Sequence, residues 1–339
     1  MNRFDWKWYL KDIKQDKPVK VFTTFSCGGG SSMGYKRAGF EVIGNVEIDP
    51  KMNAMYCKNH HPKYNYCMDL RDFNKLENIP EELIGIDILD GSPPCTSFST
   101  AGLRDKTWGE KKKFREGQAE QTLDDLFFVF LDTVEKLQPK VVIAENVVGL
   151  VTGKAKGYVN EIIKRFRELG YAVQLFKLNA AYMDVPQARE RVFFIANKCG
   201  YPKLKLAFND DVIKFKDIRS EHGVPLGEGG DFSKALLEQA TESDRKIENI
   251  TKRLAGKGGS YFSHMIVHED QVVPTVTSGG SFYRFYDKLR FSDEDFTNSQ
   301  TFPQDYDYNG NSVQYVCGMS VPPNMMANIA TEVYEQWLK

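Results

Sequence analysis

Residues 19–47 constrain the fold more than any other stretch of the chain. Val19-Lys20-Val21-Phe22-Thr23-Thr24-Phe25 is rich in β-branched and aromatic residues and runs into Ser26-Cys27-Gly28-Gly29-Gly30. After Ser31 and Ser32 complete the turn, residues 33–38 take helical spacing and are closed by Gly39, and residues 40–46 read as a second strand ending in Glu47-Ile48-Asp49. Strand, glycine turn, helix and strand open a nucleotide-binding α/β sheet. Glycines let the backbone bend tightly and approach a ligand, and an acid roughly 20 residues further on can bond a ribose hydroxyl pair. An ordinary tight turn is the alternative reading of the glycines taken alone.

The strand-helix rhythm continues to about residue 200. A helix over residues 50–59 is followed by a polar segment containing Asp69, and the apolar run 84–89 reads as a buried strand. That strand delivers Gly91-Ser92-Pro93-Pro94-Cys95-Thr96-Ser97-Phe98-Ser99. Two prolines fix the backbone ahead of Cys95, which suits a rigidly presented nucleophile, although a small buried thiol under a loop is the plainer reading. Residues 101–120 are long, polar and of mixed charge, with Arg104, Lys106, Lys111, Lys112, Lys113 and Arg115 against four acids. Such a loop is either a solvated surface or a basic flap that closes on a phosphate backbone. Residues 121–137 have helical spacing, Pro139 breaks it, and 141–144 is a buried parallel strand ending in Glu145-Asn146-Val147. A helix over 158–169, a strand over 172–178, and Gln187-Ala188-Arg189-Glu190-Arg191 feeding the strand 192–196 follow. Alternation puts Arg189 and Arg191 on one face.

Beyond Gly200 the texture changes to glycine-rich, irregular chain with short β-like runs. The expected organisation is a catalytic and cofactor-binding domain over 1–200 plus 286–339, with a smaller β-rich domain over 201–285. Residues 1–17, with Trp6, Trp8, Tyr9, Leu10 and Ile13 among charges, suggest a short amphipathic helix packed on the body, and residues 322–338 a final helix. The net charge of -1 excludes a bulk polycation binder, so any nucleic-acid contact has to come from local basic patches. The six cysteines are dispersed without Cys-x-x-Cys spacing and suit a reducing, cytoplasmic setting. His60-His61 near Cys57 and Cys67 has no second paired cluster to make a metal site. No apolar run reaches the roughly 20 residues a membrane span needs.

Taken in order, these stretches resemble the DNA cytosine-5 methyltransferases over nearly the whole chain. Phe25-Ser26-Cys27-Gly28-Gly29-Gly30 is similar to the family's Phe-x-Gly-x-Gly-Gly motif, and Gly91-Ser92-Pro93-Pro94-Cys95 to its catalytic Pro-Cys loop. Glu145-Asn146-Val147, Gln187-Ala188-Arg189-Glu190-Arg191 and Gly318-Met319-Ser320-Val321-Pro322-Pro323 match three further motifs. The resemblance implies a Rossmann-like methyltransferase sheet with helices on both faces, and transfer of a methyl group from S-adenosyl-L-methionine to C5 of a flipped-out cytosine in duplex DNA. It implies Cys95 as nucleophile at C6, Glu145 on N3 and the exocyclic amine, Arg191 on O2, and Arg189 holding the thiol loop and a nearby phosphate. For the cofactor it implies Phe25, Ser26, Gly28, Gly29, Gly30, Glu47, Ile48, Asp69, Leu70, Pro93, Leu126, Ser320 and Val321. For DNA it implies Ser99, Arg104, Lys111, Lys112 and Lys113 in the flap, then Lys257, Gly258, Gly259, Ser260, Tyr261 and Thr275 in target recognition. A separately encoded restriction endonuclease is a candidate partner, and a monomer is expected.

Four departures from the family pattern stand out. Cys27 replaces a glycine, which the backbone accepts if that position keeps a negative φ. Met319 replaces an asparagine, Asp184 sits where glycine is common, and Arg290-Phe291-Ser292 with Asp295 is a degenerate supporting segment. The competing readings are the transfer-RNA-methylating branch, a non-catalytic DNA binder on the same scaffold, and a nicotinamide oxidoreductase. The first lacks its Cys-Phe-Thr signature here, and the last has no use for Pro-Pro-Cys or Glu-Asn-Val.

Overall fold

The computed structural model describes residues 3–94, 126–152, 156–208, 210–227, 232–256, 261 and 263–339, with the backbone of 111–112 and 121–122. The chain forms two compact units, one of residues 13–179, 190–207 and 326–339, the other of 1–12, 180–189 and 208–325. These units do not follow the expected boundaries, since 180–189 and 286–325 group with the smaller one.

In the larger unit a seven-stranded sheet comprises β1 (Lys20–Thr24), β2 (Glu41–Val46), β3 (Tyr64–Tyr66), β4 (Ile88–Gly91), β5 (Val141–Val147), β6 (Ala172–Asn179) and β7 (Glu190–Asn197). Its order is β3-β2-β1-β4-β5-β7-β6, and β7 runs antiparallel to both its neighbours. The chain winds outward through β2 and β3 and returns to lay β4 beside β1. This reversal is the topological switch point, where open α/β sheets hold ligands at the carboxyl ends of their strands. The glycine turn follows β1 and the Pro-Pro loop follows β4, so both motifs emerge there.

Strand alternation divides the sheet into two faces. Phe22, Leu89, Val142, Ala144, Val192 and Phe194 line one face, against Phe73 of α3 (Leu70–Lys75), Phe127 and Phe130 of α4 (Leu126–Leu137) and Phe166 of α5 (Lys156–Glu168). Each such side chain, once buried, stabilises the fold by about 1.5–3 kcal/mol. The other face meets α1 (Gly30–Arg37) and α2 (Pro50–His60), and it turns polar toward its carboxyl end. Gly91 is fixed by crowding, because a Cβ there would stand 2.5 Å from Phe130 and 2.7 Å from Thr24 Oγ1.

Three expected elements differ. β4 begins at Ile88, because Gly85 takes a φ of 68° and leaves Ile84 49% exposed. α4 begins at Leu126, and Gln121–Thr122 pairs instead with Lys111–Lys112 as a two-residue antiparallel ladder. The amphipathic helix expected near the N-terminus is reduced to one 3-10 turn, Leu10–Asp12. Its backbone N–H groups go elsewhere: those of Arg3 and Phe4 donate to Asp184 and those of Leu10 and Lys11 to Asp305, while the buried Trp8 ring donates to Thr301 O.

The smaller unit carries the short strands expected of it, and helix as well. His264–Val267 pairs in parallel with Ser281–Arg284, and Val273–Pro274 with Gln187–Ala188. Leu236 and Leu237, from the helix Phe232–Glu238, pack with Ile247 and Ile250 from Ile247–Ala255 and with Ile266 and Tyr283. The supporting arginine is Arg284, not Arg290. Arg284 is fully buried and bonds Asp295 through Nε (3.0 Å) and Nη2 (2.6 Å), with Asp287 and Ser220 completing its shell.

Candidate active site

The glycine turn is built on left-handed backbone. Phe25, Cys27 and Gly29 have φ of 54°, 44° and 72°, and the Gly29 N–H donates to Ser26 O at 2.7 Å. Cys27 therefore occupies the positive φ that glycine would accept without strain, so the condition for easy replacement of the glycine is not met. The Cys27 N–H donates to Glu47 Oε2 (2.7 Å), which offsets part of that cost, and Asn45 Nδ2 donates to Ser26 Oγ. At Gly29 a Cβ would stand 2.2 Å from His60 Nε2, so only glycine fits over that buried ring. Gly30 starts α1, and Gly28 precedes these two in the same turn.

Beside the turn lies a pocket lined by Phe25, Val46, Ile48, Met68, Asp69, Leu70 and Leu126. Five of these are expected cofactor residues, brought together from the ends of β1 and β2 and the starts of α3 and α4. Val46 and Met68 were missed, although both directly precede chosen residues. Phe25, Ile48, Leu70 and Leu126 give the pocket apolar walls suited to a heteroaromatic ring, and the Asp69 carboxylate gives an acceptor for an amine. Asp69 also caps α3 through the Arg71 N–H at 2.8 Å and pairs with the Arg71 guanidinium. Glu47 is buried with its oxygens on the N–H groups of Cys27 and Asp49, and burial raises its pKa above the usual carboxylate value.

Across the switch point, β5 and β7 present the acid and the arginine. Arg191 Nε donates to Glu145 Oε1 at 2.9 Å, and both side chains are largely buried. Burial lowers the arginine's pKa, and the facing carboxylate partly restores it. Asn146, next along β5, donates from Nδ2 to Pro93 O at 3.0 Å and accepts the Val147 N–H at 2.9 Å. The acid-bearing strand thus holds the loop that leads to Cys95. Pro93 is buried.

Arg189 does not share a face with Arg191. Gln187–Ala188 is a separate strand of the smaller unit, so the chain breaks its alternation before β7 begins. Arg189 is 3% exposed and donates to the carbonyls of Val276 and Gly318, both at 2.9 Å. It braces two backbone segments of its own unit. In the same unit, Ser320 is buried with its Oγ lacking a hydrogen-bond partner among the described residues, beside buried Val321, while Met319 is 46% exposed. Thr275 Oγ1 donates to Ala188 O, and the Tyr261 ring stands edge-on to His264. Cys95, Ser99, Arg104, Lys113, Lys257, Gly258, Gly259 and Ser260, and the side chains of Lys111 and Lys112, lie outside the described residues.

Comparison with known proteins fits this arrangement. The chain is 29% identical over 337 residues to the type II methyltransferase M1.HphI of Haemophilus parahaemolyticus, covering 91% of this chain and 85% of that one. It is 34% identical over 211 residues to the type II methyltransferase M.NgoPII of Neisseria gonorrhoeae, covering 59% of this chain. That match spans 56% of the Neisseria protein, so the chain covers about half the length of some curated relatives. The fold is shared with a prophage-encoded protein of E. coli (TM-score 0.66, 21% identity, 95% of this chain and 100% of that one). It is also shared with Spodoptera frugiperda DNMT2 (TM-score 0.64, 16% identity, 93% and 99%). The family model for C-5 cytosine-specific DNA methylases matches residues 19–335, and the chain belongs to that family.

Proposed function

We propose that this protein transfers a methyl group to C5 of a cytosine in a specific duplex DNA sequence by covalent catalysis through Cys95. The observation that carries the reading is the Glu145–Arg191 pair, set at the switch point on the strand whose Asn146 holds Pro93, two residues before the thiol. C5 of cytosine is a poor nucleophile, so electrons have to be pushed into the ring. A cysteine thiolate adding to C6 does this, and cysteine is the side chain most nucleophilic near neutral pH.

Glu145 holds N3 and the exocyclic amine and shares a proton with the ring, so that negative charge does not build up there. Arg191 keeps Nε on Glu145 and Nη1 on Glu190 O, and offers Nη2 to the base O2. Base-catalysed loss of the C5 proton and release of Cys95 then restore the aromatic ring. S-adenosyl-L-methionine, when bound, supplies the electrophilic methyl group and leaves as S-adenosyl-L-homocysteine. Phe25, Ile48, Leu70 and Leu126 would hold its adenine, Asp69 would accept from the adenine amine, and Glu47 would meet the ribose. The glycine turn and Ser320 with Val321 serve the methionine part.

None of these groups reaches a cytosine inside a duplex, so the base is flipped out and the basic loop after Cys95 closes on the DNA. Lys257 to Tyr261 and Thr275 assign sequence recognition to the smaller unit, where contacts to base edges specify and contacts to phosphates position. A cytoplasmic monomer with a separately encoded restriction endonuclease completes the reading. Incubation with tritiated S-adenosyl-L-methionine and mixed-sequence duplex should place label on cytosine C5, and Cys95→Ala should abolish it. Label on adenine N6, or full activity in the alanine variant, would sink the mechanism. Sequencing the methylated DNA gives the target, and a duplex with 5-fluorocytosine at that position should trap a covalent adduct.

A further inference from the structure

One buried acid that no motif contains shares a sheet face with Glu145. Asp90, on β4, is paired in register with Ile143 on β5 and Thr23 on β1. Residues two apart on a strand point the same way, so Asp90, Ile143 and Glu145 lie on one face, and Glu145 is the diagonal neighbour of Asp90. The register of β7 continues the row through Phe193, opposite Glu145, to Arg191. This face carries a polar stripe from Thr23 through Asp90 and Glu145 to Arg191. The stripe is covered rather than solvated: Asp90 is 2% exposed, and Tyr35 of α1 donates to Asp90 Oδ1 at 2.9 Å.

We propose that Asp90 is a positioning residue paired in charge with Glu145: the two carboxyls carry one negative charge between them, and Asp90 releases its proton as Glu145 takes one up against the target base. The proposal rests on the cytosine-5 reading above. The charge of Glu145, although paired with Arg191, disfavours ionisation of Asp90 on the same buried face. Glu145 has to give up its charge to engage N3. A fixed carboxylate in place of Asp90 would crowd the resting site with charge, and an apolar residue would leave the engaged site without its negative charge. A second acid that can take either form keeps the buried charge constant through the step. Cys95 gives up its thiol proton as sulfur bonds C6, Glu145 gains one proton and Asp90 releases one to solvent, so forming the adduct releases one proton net, and none if Asp90 has no proton to give.

The surroundings of Asp90 suit this role. Its pKa is raised from 3.8 to about 7, first by burial and then by the charge of Glu145, while the bonds from Tyr35 and Ser31 act in the opposite direction. The other titratable groups facing it from α1 and α2 are phenols that stay neutral. Burial holds Tyr35 well above its usual value and Tyr56 at about 12. Around neutrality, Asp90 is the group of this set that changes charge.

The test measures protons. Binding of the 5-fluorocytosine duplex with S-adenosyl-L-methionine at about pH 6 is followed by calorimetry in buffers of different ionisation enthalpy. The wild type should release about one net proton, and Asp90→Asn, which keeps the shape and an acceptor for Tyr35, close to none. Equal release by the two proteins overturns the proposal. Should the variant fail to fold, carboxyl-carbon NMR of the aspartate-labelled wild type decides instead. One aspartate should titrate near pH 7 in the free protein and at least tenfold more acidic in the adduct, and an unmoved midpoint overturns the proposal. Failure of the wild type to form any adduct refutes the cytosine-5 reading itself, whereas an adduct with equal proton release in the two proteins refutes only the role of Asp90.

Discussion

At the scale of single residues, two side chains under the glycine turn are paid for by the rest of the fold. Cys27 holds a φ of 44°, where an L-residue with a Cβ is strained by roughly 1–2 kcal/mol. Cys27→Gly relieves that strain at the cost of some unfolded-state entropy, and should raise stability by about 0.5–1 kcal/mol in urea denaturation. A loss of stability would mean that the Cys27 side chain contributes more than its backbone costs. His60 is 5% exposed, and neither ring nitrogen has a hydrogen-bond partner among the described residues. Its ring packs on Tyr56 with centroids 4.4 Å apart, and burial, with Lys36 nearby, holds its pKa well below 6.5. Below that pH the unfolded chain binds a proton that the folded chain excludes, so stability falls as pH drops. His60→Phe should therefore stabilise the protein by about 1–2 kcal/mol at pH 7 and flatten the decline between pH 6.5 and 5, measured by chemical denaturation across pH. These features were not legible in the sequence, because a φ value and a missing hydrogen-bond partner belong to the packed chain and not to the residue types.

At the scale of elements, the smaller unit depends on one buried ion pair. Ser292 caps the helix Asp293–Ser299 and shares Asp295 in a capping box, and the same carboxylate receives Arg284. Both partners are fully buried, so removing one leaves an uncompensated charge. Asp295→Ala should cost about 3–5 kcal/mol, and the double change Asp295→Leu with Arg284→Met should recover most of that, read from the denaturation midpoint. A small loss in the single variant would show that water or Asp287 replaces the lost carboxylate. From sequence, Arg290 was the expected supporting arginine because it sits in the recognised segment. Arg284 lies on a different strand turn and meets Asp295 only after the chain has folded back. Where local pattern decides, the sequence was readable: α2, α5 and β2 came within two residues of their expected bounds. The misjudged boundaries at Ile84, Gln121 and the N-terminal segment are places where apolar spacing continued but tertiary hydrogen bonds or a left-handed glycine ended the element.

At the scale of the whole molecule, the switch point gathers four dispersed motifs, and ligand binding there is linked to global stability. S-adenosyl-L-homocysteine at about 100 times its Kd should add about 2.7 kcal/mol to unfolding of the larger unit, seen as a rise in Tm. Phe25→Ala or Asp69→Ala should reduce that rise while leaving the fold of the sheet intact, and an undiminished rise would remove these two residues from the cofactor site. Among the described residues no helix is long and apolar enough to cross a membrane. The sequence by itself determined the α/β sheet and the order of its motifs. These follow from local periodicity, turn chemistry and residue type, which survive without a partner. Tertiary structure alone decided that Arg189 braces carbonyls while Arg191 meets Glu145, that Arg284 rather than Arg290 serves Asp295, and that Asp90 shares the face of Glu145. Each of these is a tertiary meeting, across eleven residues for Arg284 and Asp295 and many more for the others, fixed by strand register and burial, and no local periodicity encodes it.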